Sequence, residues 1–216
     1  MLYKKYSPLK IVPIEYYKEN LLNLVKKFQI IIVQAETGSG KTSLVDIIVG
    51  LHSNYDGNIL LNDKKLTKPL FQTIDIAYVP QNIFLVDDTI RNNILFNNFD
   101  NKLISQDKIN QVINITCLDS FLLKLDNGIE TSIGENGASI SGGQKQRIGL
   151  ARSLINKPDL LILDEATNAL NYEVSNKIIK NLKNQSMTIL IISHDKEIIK
   201  NCDKQILIKN GNLEIL

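Results

Sequence analysis

Three short stretches of this sequence hold residue types that could do phosphate chemistry. The first is Ala35-Glu36-Thr37-Gly38-Ser39-Gly40-Lys41-Thr42, with Ser43 following. Backbone N–H groups of a glycine-containing loop can crowd around phosphate oxygens, because no Cβ intervenes. A helix starting at Lys41 would add unpaired donors and a partial positive charge. Lys41 would reach the β- and γ-phosphates, and the Thr42 hydroxyl would ligate Mg2+. Ala35 stands where such loops usually carry their first glycine, and it fits if its φ is negative. A Gly-rich strand–helix turn that binds nothing is the plain alternative.

The second stretch is Asp164-Glu165, which closes the aliphatic run Leu160–Leu163. In an open parallel sheet, ligands gather beyond the carboxyl ends of the strands. Asp164 would hold Mg2+, and Glu165 would polarise the water that attacks a γ-phosphate. Its alternative is a solvated acidic pair ending a strand. The third stretch is Ser141-Gly142-Gly143-Gln144. Ser141 and Gln144 have the spacing of a helix capping box. The two glycines strip side chains from a helix N-terminus, as close approach of a phosphate demands. One domain does not need two helix N-termini aimed at one phosphate from opposite sides. Two copies arranged head to tail would.

Strands and helices must position these groups. Ile30–Val33, Leu160–Leu163 and Thr188–Ile192 are short aliphatic runs of the kind buried on both faces of a parallel sheet. Leu44, Ile47, Ile48 and Leu51 follow Lys41 at helical spacing and predict one buried face. Asn58–Leu61 and Ile74–Val79 read as antiparallel strands, since Asp56-Gly57 marks a turn just before the first. Ile206–Ile208, Asn210-Gly211 and Leu213–Leu216 read as a hairpin with a type I′ turn. No strand is evident from Asn82 to Ile155. There Ile109, Val112, Ile113 and Thr116 have helical spacing, as do Ile148, Ala151, Leu154 and Ile155.

The composition bounds the partners. The chain has 216 residues, a net charge of +2 and 44% apolar residues. That fits a folded unit of one domain, with room for a subdomain, and excludes a disordered chain; the alternation of apolar runs with helical patterns marks it as α/β. The near-neutral balance gives no support to a nucleic-acid partner. No apolar run approaches the ~18 residues of a membrane span. Cys117 and Cys202 form no metal-binding cluster. A lone disulfide between them is possible, but reduced cytosolic thiols fit better. The N-terminus has no apolar stretch of the signal-peptide kind.

Taken together, these motifs resemble the ATP-binding domain of the ABC transporter family. Lys41, Ser141, Asp164 and His194 stand in the family's order, at separations of 100, 23 and 30 residues. The likeness runs from about residue 20 to residue 213. Ile140–Gln144 resembles the family signature, with Ile for the usual Leu. Val79-Pro80-Gln81 resembles the Q-loop, which implies that Gln81 senses Mg2+ and the attacking water near a transmembrane partner. Ile192-Ser193-His194-Asp195 resembles the switch segment, which implies that His194 contacts the γ-phosphate. Phe84–Ile94 and Thr131–Gly137 are similar to the exporter-type segment after the Q-loop and to the X-loop.

The resemblance implies a P-loop NTPase (RecA-like) α/β core with a parallel sheet, an antiparallel β subdomain and an α-helical subdomain. Residues 1–80 and 156–216 would form the core with its β subdomain. Residues 81–155 would form the helical subdomain. ATP and Mg2+ are the implied ligands. Ala35–Ser43 of one copy and Ser141, Gly142, Gly143 and Gln144 of the other would hold ATP. Thr42, Gln81 and Asp164 would serve the metal. Glu165, His194, Gln81 and Lys41 would be catalytic. The partners would be a transmembrane domain or subunit and a second ATP-binding domain, identical or not, at the cytoplasmic face of the membrane. Met1 favours a separate ATPase subunit.

Departures from the family pattern are Ala35, Asn171 for the usual Asp in Asn168-Ala169-Leu170-Asn171, and about four residues missing between Leu22 and Ala35. The last makes the adenine-stacking aromatic hard to place. Tyr17 or Tyr16 fits best, with Tyr6 behind them, and a packing role is open to all three. The chain also stops soon after the final hairpin. Two other functions stay open: a non-transport ABC ATPase, and a nucleotide-binding regulatory subunit with weak hydrolysis.

Overall fold

A computed structural model of the chain describes residues 30–35, 41–52, 60–61, 64–65, 68–96, 104–209 and 212–215. Its centre is a six-stranded sheet. In chain order the strands are β1 (Ile30–Ala35), β4 (Ile76–Val79), β5 (Leu160–Asp164), β6 (Thr188–Ile192), β7 (Lys204–Lys209) and β8 (Asn212–Ile215). Between β1 and β4, β2 (Leu60–Leu61) pairs antiparallel with β3 (Lys64–Lys65). The spatial order of the large sheet is β4-β5-β6-β1-β7-β8. Every neighbouring pair is parallel except β7 with β8. Leu160–Leu163 and Ile189–Ile192 are each at most 1% exposed, as continuous aliphatic runs require.

The helices are α1 (Lys41–Ile48), α2 (Ile90–Ile94), α3 (Gln106–Ile115), α4 (Asp119–Leu122), α5 (Gly142–Leu154), α6 (Tyr172–Lys183) and α7 (Lys196–Ile199). In α3 the periodic face is buried at Ile109, Val112 and Ile113, and Thr116 follows as a buried C-cap. In α5 the buried face is Ile148, Ala151 and Leu154, continued by Ile155. α5 packs on α2, α3 and β4. It thereby ties the helical stretch to the edge of the sheet.

The structure corrects two expectations. The strand expected at Ile74–Val79 is parallel, with Ile76 to Val79 in register with Leu160 to Leu163. The long helical excursion from residue 80 to 159 returns the chain to the same end of the sheet. There the Asp75 carbonyl accepts from the N–H groups of Asp159 and Leu160, and the Asp159 carboxylate accepts from the Asp75 N–H. This strand lies at the sheet edge, with Tyr78 exposed and Val79 buried, so its pattern imitates a half-solvated antiparallel strand.

Leu51, expected on the buried face of the first helix, is 74% exposed. The helix ends at Ile48, and Gly50 at φ +80° turns the chain away. A φ of that sign suits glycine, and an added Cβ would also strike the Phe71 ring at 2.8 Å. The buried face is Val45, Ile47 and Ile48.

The final hairpin is present as β7 and β8, with Lys209 opposite Asn212. Its Asn210-Gly211 turn, the Asp56-Gly57 turn and Tyr6, Tyr16 and Tyr17 lie outside the described residues. β1 lies between β6 and β7, where the order of strands in the sheet reverses. Such a switch point is where open α/β sheets take ligands.

Candidate active site

Register brings the chemistry to one edge of the sheet. Val79 pairs with Leu163, Asp164 with Ile192, and Ile192 with Val33. Gln81, Glu165 and His194 therefore leave adjacent strands at the same end. Ala35, the last residue of β1, pairs with Ile208. Strand backbone has negative φ, so no glycine is needed at that position. Glu36, Thr37, Gly38, Ser39 and Gly40 lie outside the described residues. Lys41, Thr42 and Ser43 form the first turn of α1. The first turn of a helix leaves backbone N–H groups without partners inside the helix.

Glu165 is the centre of the arrangement. It has φ +51°, a left-handed conformation that costs an L-residue with a long side chain about 1–2 kcal/mol. Its own N–H donates to the Ile192 carbonyl at 3.0 Å, which anchors it between the ends of β5 and β6. The Gln81 side-chain amide donates to Oε2 at 3.0 Å. The Asn168 amide donates to the same oxygen at 3.2 Å. Oε1 faces His194 Nε2 at 4.0 Å. Gln81, Asn168 and His194 thus surround one carboxylate.

Asp164 takes a hydrogen bond from the Tyr78 hydroxyl at 2.9 Å. The Tyr78 phenol is held well above the usual tyrosine pKa, first by burial, then by this bond and by the negative charges of Asp164 and Asp46. Beside it, Ser193 is 1% exposed and its hydroxyl accepts from the Asp195 N–H at 3.0 Å. That bond shapes the turn carrying His194. Asp164 and the Gln81 amide oxygen are hard oxygen donors, as is a threonine hydroxyl such as that of Thr42. Mg2+ uses such donors together with water and phosphate oxygens, so this donor chemistry fits the metal.

Ser141 caps α5 through a complete capping box. Its hydroxyl accepts from the Gln144 N–H at 3.3 Å, and the Gln144 side chain accepts from the Ser141 N–H at 2.7 Å. The two glycines differ. A Cβ at Gly143 would meet the Ala169 carbonyl oxygen at 2.8 Å, so the chain's own packing demands glycine there. A Cβ at Gly142 would meet only the Ala169 methyl at an ordinary 3.7 Å. The absence of a side chain at Gly142 is therefore not explained by packing among the described residues. Ser141–Gln144 are not drawn into the Glu165 cluster. They adjoin the 168–171 segment instead. Asn171, the departure from the usual Asp, caps α6 by accepting from the Val174 N–H at 2.9 Å.

The two exporter-like stretches meet each other. Ile90 N–H donates to the Thr131 carbonyl at 3.1 Å and Ile133 N–H to the Asp88 carbonyl at 3.2 Å. Arg152 of α5 donates to the Phe84 carbonyl at 2.9 Å and the Asn93 carbonyl at 2.8 Å. A groove of about 610 Å3 opens here, lined in part by Tyr78, Asn82, Phe84 and Arg152. Phe84 is 65% exposed at its rim. Tyr78 and Arg152 had no signal in a linear reading, because their partners are far away in the chain.

Comparison with known proteins decides the family. The ABC transporter family's sequence profile matches residues 20–168. The chain belongs to the ABC transporter family. A putative export ATP-binding/permease protein of Rickettsia prowazekii is 38% identical over 185 residues, 84% of this chain and 32% of that protein. An ATP-dependent lipid A-core flippase of Photorhabdus laumondii is 33% identical over 199 residues, 90% of this chain and 34% of the flippase. A solved bacterial Atm1-family ABC exporter with ATP bound matches with TM-score 0.78 and 25% identity, over 86% of this chain and 33% of the exporter's. The fold is that of an ABC ATPase domain, a P-loop NTPase. The chain spans about a third of the length of the curated relatives it matches. Among the described residues, no helix is long and apolar enough to cross a membrane.

Proposed function

We propose that this chain binds and hydrolyses ATP to drive a membrane exporter. The observation that supports this best is the convergence of Gln81, Asn168 and His194 on Glu165 at the sheet's carboxyl edge. Gln81 and Asn168 orient the Glu165 carboxylate through Oε2. Glu165 then accepts the proton of a water placed between it and His194, as that water attacks the γ-phosphorus and the bond to the β–γ bridging oxygen breaks, releasing ADP. Lys41 and the first turn of α1 hold the phosphates. Thr42, Asp164 and Gln81 would hold Mg2+, which supplies charge neutralisation between the β- and γ-phosphates. Tyr78 orients Asp164 for that task.

Two copies close head to tail, with Ser141–Gln144 of one copy over the ATP of the other. Gly142, whose missing side chain is unexplained within one chain, is the place for that close approach. Residues 81–155 act as the arm that carries this surface. The groove beside Phe84 takes a cytoplasmic segment of the transmembrane partner, and the adjoining Thr131–Gly137 loop borders it. The ATPase unit then sits at the cytoplasmic face of the membrane.

The test is ATP turnover by the purified chain beside two variants. Glu165→Gln should lower turnover by about 100-fold or more while nucleotide still binds. Lys41→Ala should lose nucleotide binding. Purification from membranes should bring a transmembrane polypeptide with the ATPase. Equal turnover in wild type and Glu165→Gln would contradict the assignment of the base.

A further inference from the structure

Gln146 is a buried polar residue on α5, 7% exposed, in the helix that the family signature opens. Its side-chain amide spans two backbones. Oε1 accepts from the Ala169 N–H at 3.3 Å, and Nε2 donates to the Gln81 carbonyl at 3.5 Å. Those backbones belong to the two segments whose side chains hold Glu165. Gln81 donates to Glu165 Oε2, and Asn168, next to Ala169, donates to the same atom. Three residues earlier on α5, Gly143 packs against the Ala169 carbonyl oxygen. Positions i and i+3 share a helix face. One face of α5 therefore meets both the carbonyl and the N–H of Ala169.

From this geometry we infer that Gln146 is a positioning residue for hydrolysis, tying the seating of α5 to the orientation of Glu165. The inference rests on the reading of Glu165 as the base. The site asks for an acceptor at one end and a donor at the other, which a glutamine amide supplies. When α5 is seated, Gln146 fixes the spacing of the 81 and 168–169 backbones, and their two side chains hold Oε2 from both sides. When α5 shifts, both supports shift together. A partner that moves α5 thereby switches the base without touching the phosphate loop.

The experiment compares Gln146→Leu, Gln146→Glu and Glu165→Gln with wild type, reading kcat, KM for ATP and thermal midpoint. Gln146→Leu leaves the Gln81 carbonyl and the Ala169 N–H without their partner. Gln146→Glu keeps the size and the bond from Ala169 but turns an acceptor toward the Gln81 carbonyl. Both should lower kcat by about tenfold with KM unchanged. Combining Gln146→Leu with Asn168→Ala should cost less than the product of the single effects, because both act on one carboxylate. Wild-type kcat in both Gln146 variants would overturn the inference. So would a loss of kcat that is matched by the change in KM, or one that multiplies independently with Asn168→Ala. If Glu165→Gln still hydrolyses ATP, the base assignment fails instead. If Glu165→Gln is dead and the Gln146 variants are normal, only the positioning role fails.

Discussion

Gln81 and Glu165 are 84 residues apart in sequence, yet the Gln81 amide donates to the Glu165 carboxylate at 3.0 Å. The contact follows from the parallel pairing of β4 with β5, which aligns the residues that leave both strands. Gln81→Glu would set a second carboxylate against the first. Turnover should drop by about tenfold or more, while equilibrium ATP binding stays near wild type. Equal losses in binding and turnover would show that Gln81 serves the nucleotide and not the base.

Gly142 and Gly143 should behave differently although they are neighbours. Gly143→Ala drives a methyl group into the Ala169 carbonyl, so it should lower the thermal midpoint in the absence of nucleotide. Gly142→Ala meets only ordinary contact and should leave that midpoint intact. It should instead weaken ATP-dependent pairing of two copies. Thermal melts without ATP, beside sedimentation with ATP, separate the two effects. Matching melts for both variants would contradict the packing assigned to Gly143.

Tyr78 makes alkaline stability a readout of its contact with Asp164. Burial first, then the bond to Asp164 and nearby negative charge, raise the phenol's pKa in the folded state. The unfolded chain therefore releases this proton first as pH rises. The contribution is fully present below about pH 10 and is lost above it. Stability of the wild type should decline through that range, and Tyr78→Phe should decline less steeply. Parallel curves for the two proteins would show that Tyr78 does not contribute.

The cysteines should be slow to react. Burial pushes the Cys202 thiol up to about 12, against the lowering effect of Lys183. Burial also raises Cys117, against Lys177 and Arg147. Both are free thiols, and the thiolate is the reactive form. A thiol probe at neutral pH should label the native chain far more slowly than the denatured chain. Equal rates would contradict this burial.

Local chemistry was the most legible part of the sequence. The capping box of Ser141 and Gln144, the helix start at Lys41 and the buried runs of β5 and β6 depend on near neighbours, and a linear reading finds them. Tyr78, Gln146 and Arg152 escaped it because their partners lie 86, 23 and 65, and 59 and 68 residues away. Even the short separation from Asn168 to Glu165 matters only because Glu165 turns back at φ +51°. The direction of β4 was misread for a related reason. The sequence of an edge strand does not say which way it runs, and only the return from the helical excursion sets its sense.

Gly143 is the complementary case. Its glycine was legible, but the reason for it was divided between two sources. The structure assigns Gly143 to packing on Ala169 and leaves Gly142 as the position that packing among the described residues does not explain.

In the proposed function, ATP closes two copies and Glu165 then reopens them by hydrolysis. Gel filtration of Glu165→Gln with millimolar ATP and Mg2+ tests it most directly. The variant should run as a dimer with ATP and as a monomer without it. A species that stays monomeric at millimolar ATP would contradict it.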